Sequence, residues 1–109
     1  MANRKRSFVD LAAMQAHAGD AVQLLKALAS EPRLKVLCLL VDGERSVGEI
    51  NDLLELSQSA LSQHLAVLRE EGLVQTRREA QTIHYSLIPG PAAVMIEALH
   101  GIYCKPAAS

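Results

Sequence analysis

Ser57-Gln58-Ser59-Ala60-Leu61-Ser62-Gln63-His64-Leu65-Ala66-Val67-Leu68-Arg69-Glu70-Glu71-Gly72-Leu73-Val74-Gln75-Thr76-Arg77 contains a change of period, and that change decides the fold. Leu61, Leu65 and Leu68 recur at helical spacing, which predicts a helix over 58–71 with one inward face, capped by Ser57. Gly72 supplies the left-handed residue that commonly ends a helix. Beyond it the spacing becomes two. Residues 73–77 and 82–87 read as strands, the second alternating Ile83, Tyr85, Leu87 against Thr82, His84, Ser86. The short polar connector Arg78-Glu79-Ala80-Gln81 makes the pair a hairpin.

Working outward, Ser46-Val47-Gly48-Glu49 fits a capping box and opens a short helix carrying Val47, Ile50, Leu53 and Leu54. Upstream, Ser30-Glu31-Pro32 stops one helix and starts another, with Pro32 tolerated in the first turn. Leu34, Leu37, Cys38, Leu40 and Val41 give that helix a broad apolar face, ended by Asp42-Gly43. Before it, Leu11, Met14, Ala18, Ala21, Leu25 and Leu28 recur at spacings of three and four, a seam suited to core packing or to a partner chain. Downstream, Pro89-Gly90-Pro91 breaks the chain, and a last helix from about Ala92 to Tyr103 carries Met95, Ile96, Leu99, Ile102 and Tyr103. The expected fold is mainly α: four helices, a β-hairpin wing and a C-terminal helix, a winged helix-turn-helix. It is expected to fill 8–104, with a disordered basic tail over 1–7 and a frayed tail over 105–109.

Composition agrees with this reading. The chain has 109 residues, enough for one domain. Half of them are hydrophobic and 21% charged, which excludes a disordered chain. Seventeen leucines and sixteen alanines against three aromatics favour helices over a β-sandwich. The longest uncharged apolar run, Val36-Leu37-Cys38-Leu39-Leu40-Val41, is far short of the ~20 residues that span a bilayer. No signal-peptide pattern follows Arg4-Lys5-Arg6, so a cytoplasmic protein without a membrane partner is expected. The formal net charge of −1 counts mildly against nucleic acid as a partner.

The outward face of the 58–71 helix argues the other way. Gln58, Ser59, Ser62, Gln63 and Ala66 share it, all short or amide side chains near the N-terminal end. A recognition helix requires this, because its N-terminal residues meet base edges in the major groove. A merely solvated face would more often carry Lys and Glu. His64 lies between the two faces and suits packing or a phosphate contact. Arg77 and Arg78 at the expected wing tip, with Gln81 and Thr82, suit phosphate or minor-groove contacts, although Glu79 beside them weakens the basic character. Arg33, Ser46 and Arg69 are weaker phosphate candidates.

The segment 57–74 resembles the recognition segment of the arsenical-repressor family (ArsR/SmtB) of bacterial winged-helix regulators. Leu28-Ala29-Ser30-Glu31-Pro32-Arg33-Leu34 upstream and residues 77–87 downstream carry the same likeness, which covers about 20–104. It is most similar to the branch of haemolysin regulators (HlyU-like) and biofilm-growth repressors. The resemblance implies a homodimer joined through first and last helices, binding double-stranded DNA at an operator with two-fold symmetry.

The family's metal thiolates match Ser46 and Gly48 here, and neither supplies a thiolate. The start of the last helix, Pro91 to Val94, holds no ligand of the family's other site, although Glu97, His100 and Cys104 share a helical face. No metal and no cofactor is therefore expected. The resemblance implies instead that Cys38 and Cys104 form a redox pair responsive to oxidants or persulfides, with Lys35 favouring the Cys38 thiolate and protonated His100 that of Cys104. The competing reading is a pair of packed thiols. The expected function is transcription regulation controlled by cysteine redox state. A regulator answering a metal or no small ligand, and a winged-helix protein-interaction module, stand beside it. No CxxC pair supports a thiol-disulfide enzyme, so the chain is not read as an enzyme.

Overall fold

The computed structural model describes residues 3–104, with side chains described from Asp10 onward. The order is α1 (Asn3–Leu28), α2 (Glu31–Leu39), a 3-10 turn (Leu40–Asp42), β1 (Arg45–Ser46), α3 (Val47–Leu54), α4 (Gln58–Glu70), β2 (Val74–Glu79), β3 (Thr82–Leu87) and α5 (Pro91–Tyr103). Four helices, a hairpin and a final helix are thus in place.

Local signals explain the boundaries. Ser30 Oγ accepts from the Arg33 amide at 3.4 Å to start α2, with Pro32 in the first turn. The Ser46 capping box is complete: its hydroxyl accepts from the Glu49 amide at 3.1 Å, and the Glu49 carboxylate accepts from the Ser46 amide at 2.8 Å. Ser57 Oγ accepts from the Ala60 amide at 3.1 Å, which starts α4. At the far end of α4, Gly72 takes φ 73°. Its amide reaches the Arg69 carbonyl at 3.0 Å, and the Leu73 amide reaches that of Leu68 at 2.9 Å. This is a Schellman ending, in which buried Leu73 follows buried Leu68 into the core and the chain leaves directly as a strand.

Three features depart from the sequence reading. First, α1 begins at Asn3, inside the segment expected as a disordered tail over 1–7, so helix continues upstream of the apolar pattern. The tail expected over 105–109 lies outside the described residues. Second, the sheet has three strands in the order β1-β3-β2, all antiparallel. The extra strand pairs Arg45 with Tyr85 and Ser46 with His84, and two residues are too few to display a period. Third, the hairpin turn is only Ala80-Gln81, with Ala80 left-handed at φ 55°. Arg77 and Arg78 therefore lie within β2, paired with His84 and Ile83, and not at the wing tip.

The core is built around α2, which contacts α1, α3, α4 and α5. Val36, Leu37, Ile50, Leu61, Leu68 and Ile96 are completely buried there. Val36 lies outside the apolar face read from the sequence, because a helix covered on several sides is buried nearly all round. Of α1, Leu24, Ala27 and Leu28 join this core, whereas Leu11, Met14, Val22 and Leu25 stand about half exposed. On α5 the inward Ala92, Ala93 and Ile96 are buried, while Val94, Ile102 and Tyr103 are exposed. None of the described helices is long and apolar enough to cross a membrane.

Candidate nucleic-acid interface and thiol pair

Leu61, Leu65 and Leu68 fix the rotation of α4 by burying one face. The opposite face then presents Gln58, Ser59, Ser62, Gln63 and Ala66, all exposed, with His64 partly covered beside them. The left-handed Glu55 (φ 55°) turns the chain between α3 and α4, so the two form a helix-turn-helix. The Schellman ending leads straight from α4 into β2, with only residues 71–73 between them.

The wing divides its candidates between two faces, since side chains alternate along a strand. Val74, Thr76 and Arg78 follow the core side; Gln75, Arg77 and Glu79 follow the outer side with His84 opposite Arg77. Gln81 occupies the tip and Thr82 opens β3, both exposed. Arg78 is exposed at the far end of the core-side row.

Arg77 is held. Its Nε donates to Glu44 Oε2 at 3.0 Å and its Nη2 to Glu44 Oε1 at 2.6 Å. Its Nη1 lies 3.7 Å from Glu79 Oε1. The His84 ring sits between the two carboxylates, Nδ1 3.9 Å from Glu44 and Nε2 3.5 Å from Glu79. The Arg77 hydrogen bonds hold the Glu44 carboxyl below its ordinary range, and the same contact raises the Arg77 guanidinium. Glu44 and His84 were not evident as site residues, because 33 positions separate Glu44 from its partner and β1 carries no pattern.

Two of the three weaker phosphate candidates are engaged within the fold. Arg33 donates to the carbonyls of Ala27 at 2.8 Å and Lys26 at 3.2 Å, satisfying the last turn of α1. Ser46 is engaged in its capping box. Arg69 remains exposed in the last turn of α4.

The two cysteines come together. Cys38 on α2 and Cys104 at the end of α5 line one open cleft of about 350 Å³, together with Leu34, Leu39, Leu54 and Leu99. Burial pushes the Cys38 thiol up from its ordinary value, and the neighbouring Cys104 pushes the same way. This corrects the expectation that Lys35 favours the Cys38 thiolate: Lys35 borders the cleft, but desolvation dominates. Cys104 is exposed and Cys38 half-buried. Among the described residues, Glu97, His100 and Cys104 are not drawn into a three-ligand cluster.

A helix-turn-helix with an uncharged outward face, continued by a β-hairpin, defines a winged helix-turn-helix protein of the DNA-binding class. The chain belongs to the arsR family of bacterial regulatory proteins, whose family model matches residues 30–76. It is 56% identical over 97 residues to the transcriptional activator HlyU of Vibrio cholerae, covering 89% of this chain and 90% of that protein. It is 49% identical over 98 residues to the biofilm growth-associated repressor of Agrobacterium fabrum, covering 90% and 84%. The structure of reduced HlyU from Vibrio cholerae superimposes with a TM-score of 0.81 at 58% identity, over 84% of this chain and 97% of that one. A homodimeric winged helix-turn-helix domain from Mycobacterium bovis, a possible ArsR-family regulator, gives 0.71 at 29% identity, over 84% and 86%. The protein is thus a DNA-binding transcription regulator of the branch that holds HlyU and the biofilm growth-associated repressors, and not an enzyme.

Proposed function

We propose that two copies of this chain read a two-fold symmetric operator, and that their affinity for it falls when Cys38 and Cys104 are oxidised or persulfidated. Gln58, Ser59, Ser62, Gln63 and His64 on α4 meet base edges and backbone in the major groove. Arg77, Arg78, Gln81 and Thr82 serve the wing's contacts. The exposed apolar side chains of α1 and α5 suit a second copy better than water, and the Mycobacterium bovis relative is homodimeric.

The observation that carries the redox reading is the shared cleft of Cys38 and Cys104. It joins α2, which packs behind the helix-turn-helix, to α5, which carries part of the exposed apolar surface. Cys104, the exposed thiol, is the one a reagent reaches first. With hydrogen peroxide its sulfur takes one oxygen to become a sulfenic acid, the O–O bond breaks and one water leaves. Cys38 then displaces a second water and closes the disulfide. A small-molecule persulfide instead transfers its outer sulfur to each thiol and leaves as a thiol; the two cysteine persulfides then condense with loss of one hydrogen sulfide, and the bridge retains one additional sulfur.

A link between α2 and α5 changes the angle between each reading head and the dimer contact. Half-sites stand about one turn (~34–36 Å) apart, so a small rotation misplaces one head. Allosteric coupling typically changes affinity ~5–150-fold, and oxidised protein is expected to bind its own upstream DNA more weakly by such a factor. Cys38→Ser is expected to bind equally under both conditions. Mobility-shift titrations, with mass spectrometry of the intrachain link, test this; unchanged affinity after complete modification of both thiols overturns it.

A further inference from the structure

The Arg77 contact has the wrong partner for a residue expected to meet DNA. A guanidinium presents a rigid fork that fits a carboxylate or a phosphate in the same bidentate way. Here Nε and Nη2 are filled by Glu44 and Nη1 faces Glu79, so every nitrogen of the fork is directed at an acid of the same chain. The pair is half exposed, with Arg77 at 50% and Glu44 at 34% of their side-chain surfaces. Exposed ion pairs contribute little to folding and exchange readily. His84, only 19% exposed, places a ring nitrogen 3.9 Å from Glu44, so the carboxylate has another polar neighbour if Arg77 leaves.

We propose that Glu44 is an internal stand-in for a DNA phosphate: it fills the Arg77 fork in the free protein and is displaced when the wing engages duplex. This rests on the reading of the wing as a DNA contact and adds a residue that sets its strength. The exchange has a signature in salt dependence. A phosphate contacted by a free arginine releases condensed cations, and each such contact steepens the slope of log affinity against log salt by about 0.9. A displaced Glu44 leaves a negative charge beside the duplex that cancels the positive charge of Arg77, so the two together bring no net charge and release almost no counterion. Arg77 in the parent protein therefore contributes almost nothing to the slope.

The test is a four-protein cycle of parent, Glu44→Gln, Arg77→Ala and the double variant, titrated with duplex DNA across a salt series. Each protein is first checked by thermal melting. Glu44→Gln is expected to bind more tightly than the parent with a slope steeper by about 0.9, so that its advantage grows about 3.5-fold when salt falls from about 200 to about 50 mM. In the Arg77→Ala background the same change is expected to leave the slope unaltered. An equal gain with and without Arg77 overturns the proposal by reducing Glu44 to a generic repulsive charge. Weaker binding by Glu44→Gln at an unchanged slope also overturns it, making the pair a structural pin for the wing. The underlying reading fails separately, when Ser62→Ala, Gln63→Ala and Arg78→Ala all bind as the parent does. If those three weaken binding while the four slopes coincide, the stand-in alone falls.

Discussion

Arg77 and His84 face one another across β2 and β3 on the outer side of the wing, whereas Arg78, one residue on, pairs with Ile83 on the other side. Adjacent in sequence, the two arginines occupy different electrostatic surroundings, one closed in by Glu44 and Glu79 and the other at the end of the core-side row. Arg78→Ala is accordingly expected to weaken binding to all duplexes alike and to flatten the salt slope by about 0.9. Arg77→Ala is expected to flatten it much less. Salt-series titrations with operator and scrambled duplex measure both.

Base reading belongs to α4. Ser62→Ala and Gln63→Ala are each expected to lose ~1–3 kcal/mol of discrimination between operator and scrambled DNA, with melting unchanged because both side chains are exposed. Competition titrations provide the measurement, and parent-like discrimination in both variants would remove α4 from the major groove.

The thiols differ in access. Burial raises Cys38 above its ordinary value of 9.0, so near neutral pH it is a thiol and becomes a thiolate only as the pH passes that raised value. Iodoacetamide at neutral pH is expected to label exposed Cys104 first, and Cys38 labelling is expected to accelerate as the solution is made alkaline. Peptide mass spectrometry over a pH series follows both sites.

Metals are expected to leave the reduced protein on its DNA. Ser46 spends its hydroxyl on the Glu49 amide, and Gly48 has no side chain to offer a thiophilic ion. Operator titrations with zinc, cadmium, copper and arsenite, repeated on Cys104→Ser, check the expectation. Tight stoichiometric binding with a large loss of affinity would refute it and direct attention to Glu97, His100 and Cys104.

The capping box should be visible in acid. The Ser46 amide and hydroxyl hold the Glu49 carboxyl below its ordinary 4.5. The stabilisation it provides is complete above that value and is lost as the pH falls through the depressed one. Glu49→Gln is expected to melt lower than the parent near pH 6 and to converge with it as the solution is acidified through the depressed value. A constant difference across the series would contradict the assignment.

How much of this was legible depended on the reach of each signal. Caps and glycine stops act within four residues, so Ser30, Ser46, Ser57 and Gly72 announced their helices in order. The leucine spacing of 58–71 gave the outward face of α4 because burying one side of a helix leaves the other by geometry alone. The wing was read one step wrong: polarity from Arg78 to Gln81 suggested a four-residue connector, but exposed strand ends are polar too, and β2 continues to Glu79. The clasp on Arg77 was invisible because its partner is brought near only by β1. Likewise the meeting of Cys38 with Cys104 depends on how α5 lies across α2, which no local pattern records.

The first helix has a consequence for the life of the protein at low copy number. Over much of its length, α1 leaves Leu11, Met14, Val22 and Leu25 about half exposed. Where the proposed second copy covers these side chains, helical order there and encounter with that copy are one equilibrium, and the stability of this part of the molecule follows mass action. Dilution would act as a denaturant. The melting temperature of the chain is expected to climb with protein concentration, and a cell that makes more of the regulator thereby makes each copy more durable.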